Sequence, residues 1–118
     1  MMINASFYKE EIRSGFLVTE KRKKVWAAEL QMLEKFDEIC QKHNLTYYAY
    51  YGTLLGAVRH QGFIPWDDDI DVVMFRDDYE KFQAIAPEEF KERIFIKRLR
   101  VTGSCGHCPR FGTAGRLL

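Results

Sequence analysis

Apolar side chains recur every three or four positions between Glu20 and His43, the spacing that gives a helix one hydrophobic face. Lys23 and most other charged residues of this segment lie off that face, so the pattern predicts one long amphipathic helix. Thr19 can cap its start, and Asn44 is a typical stop at its end. The predicted buried positions are Trp26, Leu30, Leu33, Phe36, Ile39 and Cys40.

Three further segments have the composition of β-strands. Residues 45–51 are rich in aromatic and β-forming side chains, and Gly52 is expected to end this strand. Residues 70–75 are apolar on both faces, which predicts a strand in the centre of the sheet. A third strand is predicted at residues 94–99.

Two shorter helices are predicted after the first two strands. Residues 53–60 indicate a short helix, which Gly56 weakens. Residues 77–86 indicate a second helix, which Pro87 is expected to end. A short amphipathic segment is predicted to follow at residues 88–92.

The pattern divides the chain into three parts. Residues 1–19 have weak periodicity and are interpreted as a lead-in, either flexible or a short strand. Residues 20–100 form the predicted core, a small mixed α/β domain whose short sheet is flanked by helices. Glycines crowd residues 101–118, so this part is interpreted as an irregular tail.

Composition narrows the class of protein. The chain has 118 residues, 47% of them hydrophobic and 30% charged, as in a globular domain. A net charge of +1 argues against a nucleic-acid partner held by bulk charge. No stretch has the length and hydrophobicity of a membrane span, and residues 1–9 do not resemble a signal peptide. Three cysteines fit a reducing compartment, so a cytoplasmic protein is expected.

The most informative chemistry lies in an acidic cluster, since four of the five residues from Asp67 to Asp71 are Asp. Such a density of like charge is unfavourable unless a cation or hydrogen-bond donors offset it. Because side chains alternate along a strand, Asp69 and Asp71 are predicted to share one face and to hold Mg²⁺ or Mn²⁺. Asp67 shares the parity of this pair if the strand begins early and is then a candidate outer ligand, whereas Asp68 is a candidate cap or anchor of the loop.

A candidate phosphate site precedes this cluster. Gly52 and Thr53 stand where a strand leads into a helix, and the free N–H groups of a helix start attract anions. Arg59 is a candidate contact for a diphosphate or, equally, an ion-pair partner of the Asp cluster. His60 is not assigned as a base, and Trp66 is expected to be a buried hinge residue. A Cys-x-x-Cys pair, Cys105 and Cys108, is too weak a signal to predict a metal site.

The segment from Tyr51 to Phe82 closely resembles the LicD family, above all in the run Gly-Phe-Ile-Pro-Trp-Asp-Asp-Asp-Ile-Asp. The resemblance implies a nucleotidyltransferase fold in which Gly52-Thr53 is the turn and Asp69 and Asp71 are the metal pair. It implies an enzyme that transfers phosphocholine, or a related phosphoalcohol, from a CDP-alcohol such as CDP-choline. The implied acceptor is a hydroxyl of a cell-surface glycan or glycolipid precursor, as in lipopolysaccharide or teichoic acid modification.

Other functions stay open at this point. Members of the family are longer, and their later part commonly supplies a third carboxylate, so the chain is expected to be an N-terminal fragment or a truncated member. One alternative is therefore a non-catalytic remnant that binds a nucleotide or a metal ion. Another is a nucleotidyltransferase that adds NMP from an NTP to a small acceptor.

Overall fold

The computed structural model describes residues 2–89 and 99–104. The elements are, in chain order, a 3-10 helix over Ala5–Tyr8, β1 over Glu11–Arg13, β2 over Phe16–Val18, α1 over Glu20–Lys42, β3 over Tyr48–Ala49, α2 over Tyr51–Arg59, β4 over Ile70–Phe75, α3 over Arg76–Glu89 and β5 over Leu99–Ser104.

The N-terminal lead-in contains a β-hairpin, which is more structure than the sequence pattern predicted. β1 and β2 pair antiparallel, with Arg13 opposite Phe16. Ser14 and Gly15 connect them with φ of 49° and 74°. A two-residue hairpin turn with both residues in the left-handed region favours glycine, so the Ser-Gly dipeptide was the overlooked signal.

Helix α1 confirms the longest predicted element and both of its predicted ends. The Thr19 hydroxyl accepts a hydrogen bond of 3.2 Å from the Arg22 N–H. At the other end Asn44 has φ of 54°, and the Leu45 N–H donates to the Cys40 carbonyl at 2.7 Å. This left-handed cap satisfies carbonyl groups that the helix end would otherwise leave unbonded.

The prediction that Lys23 lies off the buried face of α1 is wrong. Lys23 is only 3% exposed, and its ammonium group forms an ion pair with Glu11 of β1. The ammonium nitrogen also lies 5.2 Å from the centre of the Phe7 ring. Tertiary contacts bury Lys23, because the N-terminal segment folds onto α1 and supplies both Glu11 and Phe7. Leu30 and Leu33, predicted to be buried, are half-buried.

Strand β4 has the predicted limits and the predicted central place in a three-stranded sheet ordered β3-β4-β5. β3 pairs antiparallel and β5 pairs parallel with it. Only one face is fully buried, with Ile70, Val72 and Met74 inside, whereas Phe75 on the other face is 54% exposed. β3 is two residues long and so much shorter than the predicted strand at 45–51.

Two predicted boundaries differ from the structure. β5 runs through Ser104, four residues into the segment interpreted as an irregular tail. α3 continues through Pro87 to Glu89, although Pro87 has no N–H to donate to the Gln83 carbonyl. The remaining tail, with Cys105 and Cys108, lies outside the described residues, as does most of the strand predicted at 94–99.

The main core lies between the buried face of β4 and two helices. Phe36, Ile39 and Cys40 of α1 and Tyr79, Phe82 and Ala86 of α3 pack there in one cluster. Burial raises the pKa of the Cys40 thiol to about 12, so this cysteine is an inert core residue. The fold class is the mixed α/β arrangement that the sequence predicts. Within the described part of the chain, no helix combines the length and apolar character needed to cross a bilayer.

An ion-pair cluster joins the ends of α1 and α3 and predicts acid sensitivity. Glu89 accepts from Lys42 at 2.5 Å and contacts His43 at 3.1 Å, and these groups lower its pKa from 4.5 to about 2. A carboxyl with a lowered folded-state pKa stabilises the fold above its unfolded pKa and loses this contribution as pH falls. We therefore expect stability to fall between pH 4.5 and 2, and less steeply in Glu89→Gln than in a Glu88→Gln control, as measured by thermal unfolding.

Candidate functional site

The turn into α2 is made by Tyr51, not by the glycine that follows it. Tyr51 has φ of 46°, whereas Gly52 lies inside the first turn of the helix. The prediction that Gly52 ends the strand is therefore wrong, because Gly52 already belongs to α2. The Thr53 and Leu54 N–H groups both donate to the Tyr50 carbonyl, which closes this first turn.

Gly52 is required by the side chain that lies against it. A Cβ atom on Gly52 would be 2.7 Å from Oδ2 of Asp67, closer than real Cβ contacts allow. Gly52 and Asp67 are fifteen positions apart in sequence, so the start of α2 and the acidic loop meet here. The missing side chain gives room to a carboxylate at the turn where the sequence predicts a phosphate site.

A second contact joins α2 to the acidic strand. The Thr53 hydroxyl accepts a hydrogen bond of 2.7 Å from the Asp71 N–H. The Asp71 carbonyl accepts from the Tyr50 N–H at 3.1 Å. Both backbone groups of Asp71 are thus bound to residues around the start of α2, which ties the predicted phosphate turn to the predicted metal strand.

Helix α1 holds the acidic loop in place. The Trp26 indole N–H donates to the Asp67 carbonyl at 2.7 Å, and its ring stacks on Phe63 with centroids 4.8 Å apart. The Arg22 guanidinium donates to the Trp66 carbonyl at 3.2 Å. Trp66 itself is 49% exposed, so its predicted role as a buried hinge is wrong; the neighbouring Pro65 is the buried residue.

The same loop crosses α2 at Gly56. The His60 and Gly62 N–H groups donate to the Gly56 carbonyl at 2.8 and 3.2 Å. A Cβ atom on Gly56 would overlap the Gly62 carbonyl oxygen and lie 3.1 Å from the Ile64 nitrogen. Gly56, which weakens the helix by propensity, is therefore the position at which helix and loop can approach each other.

These contacts enclose a cavity of about 320 Å³ between α1, α2 and the start of β4. Gly52, Thr53, Asp67 and Asp69 lie on its wall, so the cavity brings together three of the predicted site residues and one acidic neighbour. Most of the remaining wall is apolar and is formed by Trp26, Leu30, Leu33, Ala57, Phe63, Ile64 and Ile70. Asp71 does not line it, although its backbone is bonded to Thr53, so the predicted pairing of Asp69 with Asp71 on one metal stays a prediction.

The acidic residues of the cavity repel one another. Burial, followed by the charges of Asp69 and then Asp68, raises the pKa of Asp67, against which the Arg22 charge lowers it. A bound cation would relieve this repulsion. The sequence left the role of Asp67 undecided. Its position two residues before Asp69 was the available signal, because side chains two apart on a strand share one face.

Arg59 lies apart from this cavity. It is exposed at the last turn of α2, and its Nε donates to the Nδ1 atom of His60 at 3.3 Å. It lines a neighbouring polar groove with Arg13, Ser14, His60 and Gln61. Within residues 2–89 and 99–104 Arg59 forms no ion pair with the Asp cluster. The interpretation of Arg59 as an ion-pair partner of this cluster is therefore wrong, and its role as a diphosphate contact stays a prediction.

The donor set of the cavity fits a hard divalent cation. Asp67 and Asp69 offer carboxylate oxygens, which Mg²⁺ prefers, and Mg²⁺ keeps waters or substrate phosphates as its other ligands. No cluster of three or more His, Cys, Asp or Glu side chains suited to a metal occurs in the described part of the chain. These residues can therefore supply an open, partial coordination shell.

Comparison with known proteins identifies the family. Residues 44–105 match the family model described as LicD/FKTN/FKRP, nucleotidyltransferase domain. The chain is 48% identical over 63 residues to the lipopolysaccharide cholinephosphotransferase LicD of Haemophilus influenzae, covering 53% of this chain and 24% of that protein. It is 43% identical over 77 residues to an uncharacterized protein of Rickettsia typhi, covering 64% of this chain and 25% of the relative.

A third relative, an uncharacterized protein of Rickettsia prowazekii, is 45% identical over 58 residues, which are 49% of this chain and 22% of the relative. The chain thus matches about a quarter of the length of these curated relatives. No solved structure matches it. The matched segment contains α2, the acidic loop and β4, which form the part of the cavity wall that holds Gly52, Thr53, Asp67 and Asp69. Because the family model covers more than half of the chain, this protein belongs to the LicD/FKTN/FKRP family of nucleotidyltransferase domains.

Proposed function

We propose that the cavity is part of the active site of a metal-dependent transferase that moves a phosphoalcohol, such as phosphocholine, from a CDP-alcohol to a hydroxyl group. The proposed acceptor is a cell-surface glycan or glycolipid precursor. The proposal extends to this chain what the name of the Haemophilus influenzae relative says of that protein. Its donor is the one that the resemblance to the LicD family implies, and its metal dependence rests on the chemistry of the residues below.

One observation carries the proposal. The start of α2 and the acidic loop are in direct contact, with the Asp67 carboxylate against Gly52 and the Thr53 hydroxyl bonded to the Asp71 N–H. A helix start attracts phosphate, and a carboxylate pair attracts Mg²⁺. Their contact is the arrangement that phosphoryl transfer needs, since the reacting phosphate and the cation must lie side by side.

The residues divide into two roles. Asp67 and Asp69 would hold Mg²⁺ or Mn²⁺, with Asp71 as a further candidate ligand on the adjoining strand. Gly52 and Thr53 would face the donor phosphates, and the Thr53 hydroxyl can donate its own hydrogen to a phosphate oxygen. When bound, the cation would neutralise charge on the phosphoryl group. The acceptor hydroxyl would attack in line the phosphorus that carries the alcohol and lose its proton to solvent, while the bond from that phosphorus to the CMP oxygen breaks and CMP leaves.

Release of CMP from CDP-choline tests this function. We expect release to require Mg²⁺ or Mn²⁺ and a glycan acceptor, and to stop with a chelator. Release of pyrophosphate from an NTP would instead support NMP transfer. Cation binding without any turnover of a CDP-alcohol would support the non-catalytic remnant.

Replacing Gly52 with Ala is expected to impair the site while leaving the fold intact. The new Cβ atom would displace Oδ2 of Asp67, which is the mobile end of a side chain and can rotate away. We expect at least a ~10-fold loss of Mn²⁺ affinity, because one carboxylate leaves the site, with little change in melting temperature.

A double-mutant cycle tests whether Gly52→Ala lowers the Mn²⁺ affinity through Asp67 or through a general disturbance of the site. If Gly52→Ala acts through Asp67, adding it to Asp67→Ala should cause little further loss of Mn²⁺ affinity. Fully additive losses would show that the glycine serves the site in another way.

A further inference from the structure

A polar groove of about 460 Å³ lies beside the cavity, between the N-terminal hairpin and the end of α2. Its wall consists of Arg13, Ser14, Arg59, His60 and Gln61. Arg13 and Gln61 line the cavity as well. The two spaces are therefore neighbours, and one extended ligand can occupy both.

The groove has an excess of positive charge. Glu11 is shared between Arg13, at 2.6 Å, and the buried ammonium group of Lys23. One carboxylate thus faces two cations. Neither Glu11 nor Lys23 lies on the groove wall, so the excess there comes from Arg59, which within the described residues has no carboxylate partner. An excess of guanidinium groups in a concave site favours an anion, most of all one with several oxygens.

Both guanidinium groups are oriented by contacts through their Nε atoms. Arg13 donates from Nε to Glu11, and its guanidinium lies 5.9 Å from the Trp26 ring centre. Its Nη1 atom reaches to 4.0 Å from the position of a Cβ on Gly62, at the cavity wall. Arg59 donates from Nε to His60. Their terminal NH₂ groups are the parts that remain to bind a ligand.

The backbone of the groove is strained at two points. Ser14 has φ of 49° and Gln61 has φ of 55°, a region that residues other than glycine rarely adopt. At Ser14 this conformation belongs to the two-residue hairpin turn. Both residues line the groove together with Arg13 and Arg59, and their hydroxyl and amide groups are neutral hydrogen-bond donors.

We infer that this groove binds a phosphate group of a substrate whose reacting end lies in the neighbouring cavity. The inference rests on the proposed function, and it adds a second anion site built jointly by Arg13 of β1 and Arg59 of α2. The phosphate could come from the donor, as part of its diphosphate, or from a phosphorylated acceptor. The chemistry of the groove is the same for both sources.

Direct binding of inorganic phosphate and of CDP tests the inference. Calorimetric titrations at low salt and without divalent cations compare the wild type with Arg59→Gln and with an Arg76→Gln control. Arg76 is exposed and begins α3, outside the groove. Arg59→Gln should weaken phosphate binding about tenfold, the effect of losing a charge-assisted contact, whereas the control should bind like the wild type. Equal affinities in all three proteins would overturn the inference.

Competition identifies the source of the phosphate. If the donor supplies it, CDP should displace inorganic phosphate, and Arg59→Gln should weaken CDP binding. If the acceptor supplies it, phosphate should bind to the CDP complex as well as to the free protein, and Arg59→Gln should weaken only phosphate. Either pattern supports the groove as a phosphate site; no binding of phosphate to the wild type contradicts it.

A further variant separates this inference from the proposed function. Asp69→Asn should abolish cation binding and leave phosphate binding in the groove intact. Loss of metal-dependent transfer in Asp69→Asn, together with unchanged phosphate affinity in Arg59→Gln, would refute the groove alone. Phosphate binding that depends on Arg59 in a protein without any transfer activity would refute the function alone.

Discussion

Asp69→Asn is expected to slow transfer from CDP-choline about a thousandfold, a loss of roughly 4 kcal/mol of transition-state stabilisation. Asn has nearly the shape of Asp but lacks the charge that would hold a divalent cation beside the phosphate. The residue lines the cavity together with Asp67, Gly52 and Thr53. Single-turnover CMP release at saturating donor measures the effect. The sequence predicts a similar loss for Asp71→Asn.

A matched carboxylate provides the control. Asp77 is exposed in the first turn of α3, outside the cavity, and Asp77→Asn changes the net charge by the same amount. We expect its rate to stay within about twofold of the wild type, because a surface substitution away from the site has little effect. Near-normal turnover in Asp69→Asn would remove Asp69 from the metal site.

Gly56→Ala is expected to destabilise the fold by about 2 kcal/mol, the usual scale of a forced overlap in packed structure. Helix propensity alone predicts the opposite sign, because Ala in a helix interior is about 1 kcal/mol more favourable than Gly. The overlap dominates because its partners are backbone atoms, the Gly62 carbonyl oxygen and the Ile64 nitrogen, which cannot rotate away.

Urea unfolding of Gly56→Ala measures this competition, with Val58→Ala as the control. Val58 lies on the same helix and is 77% exposed, so its replacement should change the free energy of unfolding by less than about 0.5 kcal/mol. A Gly56→Ala protein more stable than the wild type would show that the acidic loop does not pack closely on α2.

The elements that the sequence predicted well are those with strong local signals. Helix α1 has a long apolar period, a capping Thr19 and a stop at Asn44, and all three agree. Strand β4 is short, but its apolar run begins directly after the acidic cluster. The hairpin turn at Ser14 and Gly15 also has a local signal, the Ser-Gly dipeptide, and could have been predicted from it, but this signal was overlooked.

The elements that the sequence predicted poorly depend on contacts between distant residues. Lys23 is buried because Glu11 folds back onto α1. β3 is short because the chain turns into α2 at Tyr51, a residue whose positive φ no pattern indicates. Pro87 stays inside α3, with only Glu88 and Glu89 after it in the helix.

The candidate site likewise has one part that the sequence predicted and another part that depends on contacts between distant residues. Gly52, Thr53 and Asp69 were predicted as site residues from their residue types and spacing, and the structure brings these three to one cavity. That the Asp67 carboxylate lies against Gly52 could not be foreseen, because it depends on the path of the loop between them. Arg13 could not be foreseen either, since it reaches the site from a hairpin more than fifty residues earlier than Asp67.

Mn²⁺ binding in the presence of CDP-choline tests whether the carboxylates beside Gly52 hold a divalent cation next to a diphosphate. Electron paramagnetic resonance counts free and bound Mn²⁺ without requiring turnover. We expect one Mn²⁺ bound per chain, tighter with CDP-choline than without it, lost in Asp69→Asn and retained in Asp77→Asn. Equal Mn²⁺ affinity in Asp69→Asn and the wild type would contradict this expectation.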